Sequence, residues 1–143
     1  MTVELTVPGE PQAKQRARVV RRKGGWPIAY TPEKTVKAET LIKELFAVHY
    51  PAFEPLTGPL SMTVEAFFTM PTSASKKKQA GMEAGEILPT KRPDADNLLK
   101  LAADALAGLC FLNDAQICEA KVCKWYSRTP RLQLTIEERA KRC

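Results

Sequence analysis

Hydrophobic and polar residues alternate in several short segments, and each such segment predicts a β-strand. The clearest alternation spans 60–69, where every second side chain is apolar: Leu60, Met62, Val64, Ala66 and Phe68. Segments 2–7 and 131–137 alternate in the same way, and 116–126 is rich in residues that favour strands. Pro8-Gly9, Pro71 and Thr129-Pro130 provide the breaks. The sequence therefore predicts four strands in one sheet.

Two segments have the longer period of an amphipathic helix. The first is predicted to start with Thr31 as its cap and Pro32 at its first position, and to end before Pro51. Its predicted apolar side consists of Val36, Leu41, Ile42, Leu45, Phe46 and Val48. The second should run from Asp94–Asp96 to about Ala107, with Gly108 as its stop. Its predicted inward side chains are Leu98, Leu101, Ala102, Ala105 and Leu109.

The order of these elements is β-α-β-α-β-β, which favours an α+β fold with a small mixed β-sheet and helices packed on one face. Residues 1–143 are expected to form a single domain, since no linker divides them. A basic arm is predicted at 11–30 and a polar insertion at 72–92. A weak helix begun by Ser73 or Ser75 is possible inside the insertion. The insertion is equally compatible with a mobile lysine-bearing flap and with a solvated connection.

Charge is distributed unevenly along the chain. The net charge is +6, from 22 Lys+Arg against 16 Asp+Glu. Residues 11–37 contain eight basic side chains and Glu33 as their sole acid, a local charge of +7. Such a block is either a solvated arm or, with Trp26 and Tyr30 interleaved, a surface for phosphates and unpaired bases.

Several other classes of protein are disfavoured. The four cysteines form no C-x-x-C pair and His49 is the only histidine, which disfavours a zinc site and most nucleophile-plus-base catalysis. The sequence has no phosphate-binding P-loop, so we expect no nucleotide cofactor. It also shows no membrane span and no signal peptide, and a cytoplasmic protein is expected.

All four aspartates fall between positions 94 and 114, whereas the twelve glutamates are scattered. Asp94 and Asp96 stand at the predicted start of the second helix, and Asp114 follows that helix. If the chain folds back along the helix, three carboxylates could converge and hold Mg²⁺ or Mn²⁺, which prefer hard oxygen ligands. Asp96, Lys100 and Asp104 recur every four residues and share one stripe of the helix. A structural interpretation stays open, in which Asp94 and Asp96 only cap the helix and complement its dipole.

These motifs resemble the RusA family of Holliday junction resolvases, in its bacterial and prophage branch. The similarity rests on Arg92-Pro93-Asp94-Ala95-Asp96-Asn97-Leu98-Leu99-Lys100, Asp104-Ala105-Leu106 and Asn113-Asp114-Ala115-Gln116-Ile117. It extends to Lys14-Gln15-Arg16-Ala17-Arg18 and to Tyr30-Thr31-Pro32-Glu33-Lys34-Thr35. Many members have Asp-Asp where this chain has Asn113-Asp114.

The resemblance implies a homodimeric, Mg²⁺-dependent endodeoxyribonuclease that cuts four-way DNA junctions by paired symmetric nicks in recombination and repair. Mn²⁺ should substitute for Mg²⁺. Asp94, Asp96 and Asp114 would be the metal ligands and Lys100 the catalytic lysine, with Asn97, Asp104 and Asn113 supporting them. The candidate DNA contacts are Lys14, Arg16, Arg18, Arg21, Arg22, Lys91 and Arg92. The alternative is a non-catalytic, basic junction-binding protein whose aspartates are structural.

Overall fold

A four-stranded mixed sheet carries the fold. The structure, a computed structural model, describes residues 1–15, 18–21, 23–30 and 32–139. The sheet has the order β1-β6-β4-β5, in which β4 and β5 are parallel and the other pairs are antiparallel. Its strands are β1 (Thr2–Pro8), β4 (Leu60–Thr69), β5 (Ile117–Ser127) and β6 (Arg131–Glu138). The helices are α1 (Glu33–His49), α2 (Lys76–Glu83) and α3 (Ala95–Leu106), and a separate hairpin pairs β2 (Arg18–Arg21) with β3 (Pro27–Tyr30).

The predicted α+β fold with a small mixed sheet is confirmed. Two elements add to the predicted order: part of the basic arm forms the β2–β3 hairpin, and α2 lies within the polar insertion. Ser75 begins α2, because its hydroxyl accepts a hydrogen bond from Lys78 N. None of the helices in the described ranges is long and apolar enough to cross a membrane.

One face of the sheet and the two longer helices enclose the core. The alternating apolar residues of β1, β4 and β6 are buried, and six residues of α3 pack onto them. Each fully buried Leu, Ile or Phe contributes about 1.5–3 kcal/mol through removal of apolar surface from water. In α3 the buried residues are Leu98, Leu101, Ala102, Ala103, Ala105 and Leu106, and Leu109, just after the helix, is half-buried. The amphipathic pattern of α3 was therefore predicted correctly.

The predicted start and apolar side of α1 were partly wrong. Glu33 is the first helical residue and Pro32 occupies the cap position, while the predicted cap, Thr31, lies outside the described residues. Ile42 and Phe46 are buried as predicted, but Val36, Leu41 and Val48 are exposed. The reason is tertiary: Thr35 is fully buried and its hydroxyl accepts a hydrogen bond from Gln15 N, so α1 turns its Thr35 side inward.

Helix α3 runs back along the sheet, so the segment before it and the segment after it lie at opposite ends of the sheet. Lys124 Nζ donates to Lys91 O at 2.6 Å, so the segment before α3 lies beside the second half of β5. After α3, Leu56 N donates to Cys110 O at 2.8 Å, so the chain there lies beside the loop that leads into β4. We call the first region the exit end, where β4 and β5 finish, and the second the entry end, where they begin.

Candidate metal centre and DNA-binding surface

Two carboxylates stand at the N-terminus of α3, at the exit end. Asp94 occupies the cap position and Asp96 lies in the first turn. The Asp94 side chain makes no capping hydrogen bond, and both residues are exposed. Helix capping therefore does not occupy the Asp94 oxygens, although the positive end of the helix dipole favours both negative charges. Two short carboxylates with available oxygens suit a hard cation such as Mg²⁺.

The third carboxylate, Asp114, opens a 3₁₀ turn at the entry end. Asn113 caps this turn, with its side-chain oxygen accepting from Ala115 N at 2.8 Å. That contact gives Asn113 a role in shaping the turn. Asp114 itself is exposed and adjoins the start of β5.

Gln116 fixes this turn and was not among the predicted site residues. Its side-chain oxygen accepts from the backbone N–H groups of Leu112 and Asn113, both at 2.8 Å. Its amide nitrogen donates to Leu56 O at 2.8 Å and to Gly58 O at 2.9 Å. The spacing Asp114-x-Gln116 was visible in the sequence, but the loop that accepts its hydrogen bonds is about sixty residues away.

One chain does not bring the three aspartates together. Between Asp94 and Leu106, α3 spans about 18 Å at ~1.5 Å per residue, and Asp114 lies beyond that far end. The chain does fold back along the helix as envisaged, but the returning strand carries Lys124 to the exit end and leaves Asp114 at the entry end. Across residues 1–15, 18–21, 23–30 and 32–139, no group of three His, Cys, Asp or Glu side chains could hold a metal ion.

Lys100 and Asp104 form part of a charged cluster along α3. Lys100 Nζ is 3.9 Å from Asp104 Oδ2, and 60% of the Lys100 side chain is exposed. Lys14 Nζ approaches the same carboxylate at 3.3 Å and Glu39 Oε1 at 2.6 Å. The hydrogen bond that Lys14 donates to Glu39 is the main reason that the pKa of Lys14 is raised above its usual 10.5, and burial partly opposes it. Asp104 thus lies between two ammonium groups: that of Lys14, whose side chain is partly buried, and that of Lys100, whose side chain is exposed.

Comparison with known proteins identifies the family. The family model for endodeoxyribonuclease RusA matches residues 8–137, nearly the whole chain. The chain belongs to the RusA family. A relative from Bacillus subtilis (strain 168), called uncharacterized protein YqaN, is 37% identical over 138 residues, which cover 95% of this chain and 96% of the relative. RusA proteins are nucleases that act on branched DNA junctions and generally use divalent metal ions.

In a protein of the RusA family, exposed basic side chains near the carboxylates are candidates for contacts with DNA phosphates. Lys91 and Arg92 are exposed immediately before Asp94 at the exit end. Lys14 differs from them, because its ion pairs with Glu39 and Asp104 hold it between α1 and α3. Asn97, expected to support the site, is half-buried, and its carbonyl accepts from Lys14 N at 3.0 Å. Of these predicted DNA contacts, Lys91 and Arg92 are therefore the ones whose side chains are exposed at this end.

Part of the basic arm forms a hairpin, in which Arg18–Arg21 pairs with Pro27–Tyr30. Arg21 and Lys23 are exposed there, and Trp26 is 89% exposed beside the turn. Arg16 and Arg22 lie outside the described residues, and of Arg18 only the backbone in β2 is described. A basic hairpin with an exposed indole ring has the composition of a surface that contacts phosphates and stacks on bases.

Proposed function

We propose that this RusA-family chain is a divalent-metal-dependent endonuclease that resolves four-way DNA junctions by paired symmetric nicks. It would act in the cytoplasm during recombination and repair. The observation that carries the proposal is the pair Asp94 and Asp96: both are exposed, the Asp94 side chain makes no capping hydrogen bond, and the basic residues Lys91 and Arg92 directly precede them. Carboxylates beside basic residues suit a cation held against a phosphate.

Asp94, Asp96 and Asp114 are the residues that would hold Mg²⁺, or Mn²⁺ in its place. When bound, the metal lowers the pKa of a coordinated water and neutralises charge on the scissile phosphate. Lys100, one turn along α3 from Asp96, directs its ammonium group toward the developing negative charge. Asp104 would help to position Lys100, since Lys100 Nζ lies 3.9 Å from Asp104 Oδ2.

The separation of the aspartates supports a homodimer as the active unit. Within one chain the whole length of α3 lies between Asp94 and Asp114. A second copy related by a two-fold axis could supply its own Asp114 to the Asp94 and Asp96 of the first, and the reverse. Such a dimer has two identical sites, which matches two symmetric nicks across a four-way junction.

Neutral substitutions at the site distinguish this function from the non-catalytic alternative. We expect Asp94→Asn and Asp114→Asn each to lower Mg²⁺-dependent cleavage of a synthetic four-way junction by on the order of 100-fold or more. Junction affinity should be retained or increased, since a negative charge facing a polyanion is removed. Gel assays measure cleavage, and fluorescence anisotropy in Ca²⁺ or EDTA measures binding.

Glu44→Gln is the matched control, because it removes one exposed carboxylate from the outer surface of α1. It should leave cleavage unchanged. Full cleavage by Asp94→Asn would reject that residue as a ligand. A wild-type protein that binds junctions but cuts none with Mg²⁺ or Mn²⁺ would favour the junction-binding alternative.

A further inference from the structure

The outer edge of β5 is the one long sheet edge left open in the described part of the chain. The order β1-β6-β4-β5 places β5 at the margin of the sheet, where it pairs with β4 on one side alone. Four successive residues of its first half, Cys118, Glu119, Ala120 and Lys121, are exposed. An edge of this kind presents unpaired backbone N–H and C=O groups that another strand can join.

The opposite edge of the sheet, β1, is blocked at its middle by a side chain. On β1, the Tyr50 hydroxyl accepts from Glu4 N at 3.0 Å and donates to Glu4 O at 3.1 Å. These two bonds occupy the outward-facing backbone groups in the middle of β1. Strand addition is therefore favoured at β5.

The charges of β5 favour a second copy of the same strand as the one that pairs with this edge. In a two-fold antiparallel pair, the axis must pass beside one residue, which then faces its own copy. An axis at Glu119 would place two glutamates opposite each other, and an axis at Lys121 would place two lysines opposite each other. An axis at Ala120 instead sets Glu119 against the partner's Lys121, twice. Opposite charges at directly facing positions stabilise a strand pair and like charges destabilise it.

The two side chains are placed to make these contacts. They alternate along β5 in register with Ser61 and Thr63 of β4, so both project from the sheet face opposite the core. Glu119 already pairs with Arg139 in its own chain, yet 52% of its side chain remains exposed. It can therefore accept a second cation from a neighbouring strand.

This register also brings Asp114 of one copy toward the Asp94 and Asp96 pair of its partner. In this register the start of β5 lies beside the second half of the partner's β5, and Asp114 stands in the 3₁₀ turn directly before Ile117, so this turn reaches the level of that second half. That half includes Lys124, whose Nζ contacts Lys91 O in the segment that leads into Asp94. The charge pattern of β5 and the distance between Asp94 and Asp114 within one chain thus favour the same arrangement.

We propose that the β5 edge is the self-association surface of this protein, paired antiparallel about Ala120 with Glu119 facing the partner's Lys121. The significance of the interface for catalysis rests on the proposed nuclease function. The interface itself is tested by measuring the molecular mass of the protein in solution, which needs no cleavage assay.

Charge reversal provides the test, measured by analytical ultracentrifugation over a range of protein concentrations. The wild type should sediment as a dimer, and Glu119→Lys and Lys121→Glu should each raise the dimer dissociation constant by about tenfold or more, since both facing pairs become like-charged. An equimolar mixture of the two variants should recover dimers, because every facing pair is again of opposite charge. The double variant Glu119→Lys, Lys121→Glu should also dimerise. Neither rescue restores the contact of Glu119 with Arg139, so recovery cannot come from repair of the single chain.

Glu137→Lys is the matched control. It makes the same charge change on the same sheet face, but in β6, about 10 Å from the β5 edge at two strand spacings. It should leave the dimer intact. A monomeric wild type, single variants that dimerise normally, or a mixture that fails to recover would each overturn the proposed interface. A wild-type dimer that follows this pattern but cuts no junction would instead overturn the nuclease function and leave the interface standing.

Discussion

At the scale of single residues, Lys14 shows how tertiary contacts redirect a charged side chain. Its position in a basic arm suggested a phosphate contact, yet its ammonium group lies between Glu39 and Asp104 with 22% of the side chain exposed. Three groups on three segments share this contact: the stretch after β1, α1 and α3. Lys14 therefore joins the two helices that enclose the core, and through Asp104 it reaches Lys100.

Removal of this ammonium group should destabilise the fold. We expect Lys14→Met to lower the free energy of unfolding by about 1–3 kcal/mol at pH 7, because two partly buried carboxylates lose their common partner. Lys37→Met is the control: its pair with Glu33 is exposed at both ends, so its loss should cost about 0.5 kcal/mol or less. Urea unfolding followed by circular dichroism measures both.

The pH dependence provides an independent check on this ion pair. The pKa of Lys14 is raised in the folded state above the value of 10.5 expected when unfolded. Its contribution is thus fully present below pH 10.5 and is lost as the pH rises through the higher folded value. The stability difference between the wild type and Lys14→Met should shrink at alkaline pH. A difference that stays constant up to pH 12 would assign the effect to lost packing of the aliphatic chain.

At the scale of elements, the 3₁₀ turn that presents Asp114 depends on one amide side chain. Gln116 makes four hydrogen bonds, two accepted from its own turn and two donated to the loop before β4. Gln116→Glu keeps the shape and the two acceptors but loses both donors, and it sets a carboxylate against two carbonyl groups. We expect a loss of about 2–3 kcal/mol in stability, together with reduced cleavage.

Gln12→Glu serves as the control for this change, because Gln12 is exposed and makes a single long contact with Glu10 O. Thermal unfolding should separate the two variants clearly. Equal melting temperatures would mean that water replaces the two lost donors, and that the Gln116 amide does not hold the turn.

The elements that the sequence predicted well are those whose own pattern decides their burial. β4 alternates through five buried positions, and α3 has a continuous apolar side. In both elements the local sequence pattern alone therefore indicates which side chains are buried. α1 was harder, since a buried Thr35 bonded to Gln15 N determines which side faces inward. The β2–β3 hairpin was missed because its turn, Lys23-Gly24-Gly25, adjoins exposed residues that lack the alternation of a buried strand.

At the scale of the whole molecule, the location of the aspartates was the part that the sequence could not determine. Residues 94–114 are close in sequence, which suggested closeness in space, but α3 holds the two ends of this window apart. The resemblance to RusA proteins predicted which carboxylates bind metal, without indicating how many chains supply them. The proposed symmetric dimer would bring Asp94 and Asp96 of one chain close to Asp114 of its partner, although α3 separates them within each chain.

Mixing two inactive variants tests this shared site. In a heterodimer of Asp94→Asn with Asp114→Asn, one site carries both substitutions, whereas the other combines the intact Asp94 of one chain with the intact Asp114 of its partner. Random exchange makes about half of the dimers mixed, with one of two sites restored, so about a quarter of the wild-type sites should return. Each mixed dimer has one competent site, so a cruciform plasmid should be nicked to open circles rather than cut to linear DNA. If the two proteins exchange subunits and the mixture stays inactive, each site must draw all of its carboxylates from one chain.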